Sequence, residues 1–297
     1  MARSIFVTES STLQDFLCAS FPDVKRTKLK QWLKFGSVLV NGEKQTRHDH
    51  LLVSGDAVEI RSKEESMAAD LLPPSMRVVH EDESLLVIDK PADLLSIASV
   101  AEREKTTYSY LTTYVRRGDP RSTARVWIVH RLDRETSGLM VFARTEAAKS
   151  VLQKNWDVVE KKYLAVVEGH PKKESGTLES FLDERNPHHV QSVRESEHTR
   201  RAVTRFQVMR HTARLTLVEL TLVTGRRHQI RVQLSEIGCP VIGDQKYGAR
   251  SDPAGRLGLH ACSLRLMHPD SGEEMEFHSA LPAVLAQALG SNNERVR

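Results

Sequence analysis

Cysteine is scarce in this 297-residue chain: Cys18, Cys239 and Cys262 are three in number and far apart. They make neither a disulfide framework nor a Cys-x-x-Cys zinc knuckle, and a reducing, intracellular setting is expected. Long apolar runs are missing too. The most apolar patch, Leu85 to Ile88, is cut at once by Asp89 and Lys90, far short of the ~18 residues that span a bilayer. Met1 to Glu9 lacks the apolar core of a secretory signal, so the expectation is a cytoplasmic protein with no membrane partner. Charge of one sign is not in large excess: 43 Lys and Arg face 39 Asp and Glu, for a net +4. So small a surplus says little about nucleic acid by itself. Phosphate-loop, dinucleotide-fingerprint, His-Glu-x-x-His and Gly-x-Ser-x-Gly patterns are all absent. His188, His189 and His198 cluster in an arginine-rich region, but neither their spacing nor flanking acids suit a metal. Chemistry without metal, nucleotide or redox cofactor is expected.

What is present is a composition of folded type, 39% hydrophobic and 28% charged, and a length that suits two domains, one of them large. Thr12 precedes apolar positions 13, 16 and 17, a capped helix. Lys28 to Phe35 repeats the spacing with Leu29, Trp32 and Leu33, and Gly36 stops it. Val38 to Val40, Asn41-Gly42 and Glu43 to Gln45 predict a hairpin, and Ala57 to Ile60 a last strand. Five basic residues, Lys25, Arg26, Lys28, Lys30 and Lys34, occur there without one acid; they are a phosphate-contact patch or a solvated helix face. Residues 1–62 thus read as a small domain, 63–74 as a charged, Pro-ended linker, 75–290 as the large domain and 291–297 as a frayed tail.

Beyond the linker, strands are predicted at Ser84 to Lys90, Val126 to Val129, Leu139 to Arg144, Lys161 to Val167, Thr204 to Met209 and Leu215 to Val223. Helices are predicted at Tyr108 to Arg116, Glu146 to Val158 and Arg227 to Ile237. Without regular helical crossovers, the fold class is α+β, with a mixed, largely antiparallel sheet flanked by helices. The densest polar turn is His130-Arg131-Leu132-Asp133-Arg134-Glu135-Thr136, between two apolar strands. A carboxylate flanked by Arg131 and Arg134 would be held ionised, as a nucleophile or base needs, although a surface turn stitched by ion pairs has the same composition. Thr224 to Leu234 brings Gly225, Arg226 and His228 to a helix start able to accept phosphate. Arg231 sits farther in, where it neutralises a buried carboxylate or lies on a wet basic face. Tyr163 lies on a strand of alternating character.

These segments carry two resemblances. Leu29-Lys30-Gln31-Trp32-Leu33, Gly36 to Gly42 and Gly55 to Val58 resemble the ribosomal S4-type RNA-binding domain. His130 to Leu139, Lys162-Tyr163-Leu164-Ala165 and Thr224 to Val232 resemble, in order, the motifs of the RluA-type pseudouridine synthases. Lesser matches lie at Val87 to Ala92, Ile242 to Gly248 and Leu259 to Ala261. Three positions depart from that pattern: Asp93 for the usual glycine, Gln233 for the usual histidine, and Arg227 for a small or polar residue. The resemblance implies an isomerase acting on uridine in structured RNA, large-subunit ribosomal RNA ahead of transfer RNA, with no cofactor or metal and as a monomer. It implies Asp133, Tyr163 and Arg231 as catalytic residues, with Arg131, His130, Arg134, Arg226 and His228 contacting RNA. Arg131 would fill the stack left by an extruded base. Two other readings stand beside it: a scaffold that binds RNA without catalysis, and a metal-free RNA hydrolase using Asp133 with His130 or His228.

Overall fold

The computed structural model describes residues 4–61, 70–99, 102–186 and 189–290. Most of the linker expected at 63–74, the tail 291–297 and His188 lie outside the described residues. The chain divides into two compact units, Met1–Arg77 with Thr112–Ala124, and Val78–Leu111 with Arg125–Arg297. Thr112–Ala124, placed within the large domain by the sequence reading, clusters with the first unit.

In the first unit, strands β1 (Ser4–Phe6) and β2 (Ser11–Thr12) precede helices α1 (Leu13–Ser20) and α2 (Arg26–Lys34). Thr12 caps α1, its hydroxyl accepting the Asp15 N–H at 3.2 Å. Strands β3 (Val38–Val40), β4 (Glu43–Lys44), β5 (Leu51–Leu52) and β6 (Ala57–Ile60) follow. A four-stranded sheet runs β1-β6-β3-β4, and β2 pairs separately with β5. Asn41 and Gly42 both take positive φ (53° and 81°), as a two-residue hairpin turn matching the strand twist requires. Leu13 and Leu17 of α1 and Leu29 and Leu33 of α2, each an i, i+4 pair, pack with Val38, Val40, Leu52 and Val58. Lys25, Arg26, Lys28, Lys30 and Lys34 are all exposed.

The second unit is built on an eleven-stranded sheet. The elements from there on, in chain order, are β7 (Arg77–Glu81, its first residue in the first unit), β8 (Leu85–Lys90), α3 (Thr107–Val115, of which Thr112–Val115 belong to the first unit), β9 (Trp127–Ile128), β10 (Ser137–Ala143), α4 (Glu146–Lys154), β11 (Glu160–Glu168), β12 (Ser175–Asp183), β13 (Gln191–Val193), β14 (Thr199–His211), β15 (Leu215–Leu222), α5 (Gln229–Glu236), β16 (Leu259–Met267), β17 (Glu274–His278) and α6 (Ala283–Gly290). Strand order is β13-β12-β14-β15-β11-β16-β10-β8-β7, with β17 on β16 and β9 on β10. β10 and β16 pair parallel; β8–β10, β11–β15, β11–β16, β12–β14 and β14–β15 pair antiparallel. The sheet is therefore mixed and largely antiparallel, as the sequence implies. Ala148 and Leu152 of α4 pack against Val87, Val141 and Leu264, and Leu285 and Leu289 of α6 against Val166 and Leu215. The helix expected to reach Val158 stops at Lys154 and gives way to a single 3₁₀ turn, Trp156–Val158.

Where parallel β10 and β16 meet, Gly138 (φ 115°) pairs with Ala261. A Cβ there would lie 2.2 Å from the Ala261 carbonyl oxygen. The three nearest atoms are all Ala261 backbone, so no flexible side chain is there to yield. Gly138→Ala is expected to destabilise by about 2–4 kcal/mol, from overpacking plus a backbone region that L-residues avoid. Denaturant unfolding measures it, and a loss below about 0.5 kcal/mol, ordinary for surface changes, would contradict the close approach.

Candidate active site

The loop from Val129 to Thr136, between β9 and β10, forms one wall of a cleft of about 680 Å³. Asp133, Tyr163, Arg131, Arg226, His228 and Arg231 all line it. Several anchors hold the loop. Ser96 clamps Leu132 from both sides, donating to its carbonyl (2.7 Å) and accepting from its N–H (3.2 Å). Lys90 is fully buried, and its Nζ donates to the carbonyls of Pro91 (2.8 Å), Leu94 (2.8 Å) and Arg134 (3.1 Å). Burial pushes the Lys90 amine down to about 7, with the Asp133 charge pulling it back up. Three carbonyl acceptors call for three N–H donors, which only the ammonium form has. Lys90 thus ties the loop after β8 to the one carrying Asp133. Asp93 sits in that first loop with φ 61°. The left-handed conformation explains why glycine is usual at this position and why Asp, tolerant of it, is an acceptable substitute.

Tyr163 reaches the cleft through an irregular strand. Lys162 pairs with Ser263 but Tyr163 with Ala261, so Cys262 is an extra residue in β16. Bulges of this kind re-aim side chains beside active sites. Lys161 and Tyr163, two residues apart on one strand face, both line the cleft. Burial, and then the Asp133 charge, raise the phenol well above its ordinary value. Tyr163 is therefore a neutral ring at physiological pH.

Arg231 is 4% exposed and Gln233 1%, which removes the wet basic face as a reading of α5. The whole stretch from Gln229 to Leu234 is buried. Gln229 donates to the Val203 carbonyl and Gln233 to the Ala202 carbonyl, both at 3.0 Å, while Thr204 donates to Gln233 at 2.7 Å. Gln233, a departure from the family pattern, thus docks α5 on β14. Arg227, another departure, donates its backbone N–H to Glu184 at 2.6 Å.

Arg231 grips Asp244 with two hydrogen bonds, Nε at 2.7 Å and Nη2 at 2.8 Å. Its remaining nitrogen, Nη1, is 3.5 Å from both Asp133 Oδ2 and Glu135 Oε2. Burial opposes the charge on Arg231, but Asp244, Asp133 and Glu135 outweigh it and raise its pKa. For Asp133 the balance goes the other way. Burial raises its pKa most, Glu135 and Asp244 add to that, and Arg231 only partly offsets them. The site is a half-buried carboxylate beside a buried, fixed guanidinium, with a neutral aromatic ring on the neighbouring wall. Sequence reasoning singles out neither Asp244 nor Lys90 as a functional residue.

The expected RNA contacts divide. Arg131 is exposed on the cleft wall. Arg226 is exposed there too, with Nε 3.3 Å from the Arg201 carbonyl. His130 lines the cleft, but its ring stacks on Trp156 (centroids 4.4 Å apart) and its Nε2 accepts the Val141 N–H at 3.0 Å. Burial takes it down to about 3, so it stays neutral. Arg134 is exposed, and its Nε approaches the Asp93 carbonyl at 3.4 Å. Among the described residues, no group of three or more His, Cys, Asp or Glu is placed to hold a metal ion, and no helix is long and apolar enough to cross a membrane.

Residues 84–236 match the family model of RNA pseudouridylate synthases. The chain is 34% identical over 289 residues to the ribosomal large subunit pseudouridine synthase D of Salmonella typhimurium, covering 91% of this chain and 87% of that one. It is also 34% identical to the uncharacterized RNA pseudouridine synthase YlyB of Bacillus subtilis, covering 95% and 94%. Among solved structures, human RNA pseudouridylate synthase domain containing 4 superposes with a TM-score of 0.62 at 27% identity, covering 77% of this chain and 96% of that one.

Proposed function

The chain belongs to the RNA pseudouridylate synthase family, and on that footing we propose that Asp133, Tyr163 and Arg231 isomerise uridine in large-subunit ribosomal RNA. The observation that carries the site assignment is Asp133, a half-buried carboxylate 3.5 Å from Arg231 Nη1, in one cleft with Tyr163. The ribosomal substrate rests on the relatives that carry that name. In the reaction the bond from C1′ to N1 breaks, the base turns, and C1′ bonds to C5. The hydrogen on C5 leaves as a proton and one proton ends on N1, so nothing is oxidised or reduced. Asp133 acts on the ribose, either attacking C1′ or taking a ribose proton, and both roles need the ionised carboxylate. Tyr163 supplies a neutral stacking face for the base. Arg231 keeps a charge available in a site where an unpaired carboxylate is costly.

The test is an RNA bearing tritium at C5 of uridine. Label released to solvent while chain length stays constant is the expected outcome. Shortened RNA would mean hydrolysis, and binding without release would mean a silent scaffold. Arg131→Ala is expected to slow release from structured RNA more than from an unstructured oligonucleotide, because an unstacked base needs little help to stay extruded. Equal slowing on both would assign Arg131 to holding the Asp133 loop.

The first unit serves, in this reading, as an S4-type RNA-binding domain of a monomeric, metal-free cytoplasmic enzyme. Its exposed Lys25, Arg26, Lys28, Lys30 and Lys34 supply sequence-tolerant phosphate contacts. Lys28→Gln with Lys30→Gln is expected to lower the slope of log affinity against log salt by about two, near one for each phosphate no longer neutralised. Titrations against a ribosomal RNA fragment at several salt concentrations measure it. An unchanged slope would remove these lysines from the interface.

A further inference from the structure

His228 opens α5 with a left-handed backbone (φ 52°), a conformation uncommon outside glycine and concentrated at functional positions. Its Nδ1 lies 2.7 Å from the Tyr247 hydroxyl, and its Nε2 lies 3.9 Å from Asp133 Oδ2. Burial, followed by the Arg231 charge, takes the imidazole down to about 4. At neutral pH the ring therefore carries a single N–H, and where it sits decides what His228 offers Asp133.

Tyr247 settles that choice. It is 7% exposed, and its hydroxyl oxygen accepts the Val190 N–H at 3.1 Å, an interaction in which the amide can only donate. The single hydroxyl hydrogen then has one acceptor among the described residues, His228 Nδ1. The reverse arrangement, with Nδ1–H donating, would strand the hydroxyl hydrogen in a buried site, which is costly. We propose that Tyr247 fixes His228 as the Nε2–H tautomer, making His228 a positioning residue that donates to Asp133 Oδ2. Arg231 Nη1 approaches the same oxygen at 3.5 Å, so the two donors converge on Oδ2 and leave Oδ1 to face the ribose. Both distances are long, as catalytic contacts often are in a free enzyme. The tautomer stands on its own geometry, whereas the positioning role rests on Asp133 being the reacting carboxylate.

Long-range ¹H–¹⁵N correlation spectra of the full chain labelled at histidine read the tautomer directly. The His228 signals are those missing in His228→Asn. They are expected to show a protonated Nε2 and a bare Nδ1, and Tyr247→Phe is expected to shift population toward Nδ1–H. A protonated Nδ1 in the wild type, or a pattern unaltered in Tyr247→Phe, would overturn the assignment. The positioning role is read from turnover. A glutamine amide nitrogen reaches close to the Nε2 position and an asparagine nitrogen close to Nδ1. His228→Gln is therefore expected to keep kcat at least about tenfold above His228→Asn, the scale of one preorganised donor or less, at similar KM for RNA. Asparagine tolerates the left-handed backbone better, so a purely structural role predicts the opposite order. Equal losses, or asparagine ahead, would overturn the positioning role. Turnover surviving in Asp133→Asn would instead sink the catalytic assignment and leave the tautomer result standing.

Discussion

Asp133→Asn is expected to lower kcat for tritium release by about 10³-fold or more, the scale of losing a nucleophile or general base, while the protein stays folded. The amide keeps the size of the side chain but cannot carry the negative charge that attack on C1′ or proton removal requires. Stability should move in the other direction. The folded carboxyl titrates above its unfolded value, burial being the largest cause. A raised carboxyl contributes stability below the unfolded pKa of about 3.9, and that contribution is lost as pH rises through the folded pKa. At pH near 7 the wild type therefore bears the cost of holding a charge in a partly desolvated site, and the asparagine variant does not. Its melting temperature at neutral pH is expected to equal or exceed that of the wild type. The gap should narrow as pH falls and Asp133 protonates. Residual turnover within about tenfold of wild type would sink the assignment, since one decade is only about 1.4 kcal/mol of barrier. A large loss of stability would show that the carboxylate serves the fold instead.

The resemblance to the synthase motifs is what singles out the three catalytic candidates in the sequence, since their local patterns alone leave other readings open. Each lies in a short stretch where polar residues interrupt an apolar pattern. Asp133 stands in a turn between two strands, Tyr163 on an alternating strand, and Arg231 inside a helix with Ile230 and Leu234. Their partners are not legible in the same way. Asp244 meets Arg231 across a helix end and a turn, and no helical or strand period links positions 231 and 244. Lys90 ends a strand in Asp89-Lys90-Pro91, where a lysine looks like a solvated terminus. Only the path of the chain brings three carbonyls to its Nζ. The strands show the same division. β8, β10 and β15 are apolar runs visible by period. β12, largely half-exposed, lacks a strong apolar face and escapes prediction, and β14 is predicted only over 204–209 although it runs from Thr199 to His211. Its outer ends are rich in arginine and are set by pairing with β12 and β15 rather than by apolar period. Parallel pairing of β10 with β16 is equally invisible locally, because the two strands are joined only by distant sequence.

Arg231→Met is expected to abolish tritium release and to destabilise the fold by about 3–5 kcal/mol, the usual cost of removing one partner of a buried ion pair. Asp244 explains the second effect. Its side chain is 1% exposed and holds Arg231 through two short hydrogen bonds, so the methionine variant leaves a carboxylate in the core without its counter-charge. Asp133 and Glu135, each 3.5 Å from Nη1, are deprived of a weaker interaction. Adding Asp244→Asn removes the stranded charge. The double variant is therefore expected to return to within about 1–2 kcal/mol of wild type, because replacing both members of a buried pair costs far less than removing one. Turnover should not return with it, since Asp133 still lacks the guanidinium that opposes its burial. Denaturant unfolding and tritium release, measured on both variants, separate the two roles. A double variant that regains activity along with stability would make Arg231 a fold residue alone. A single variant that unfolds like wild type would mean the Arg231–Asp244 pair does not hold α5 in place.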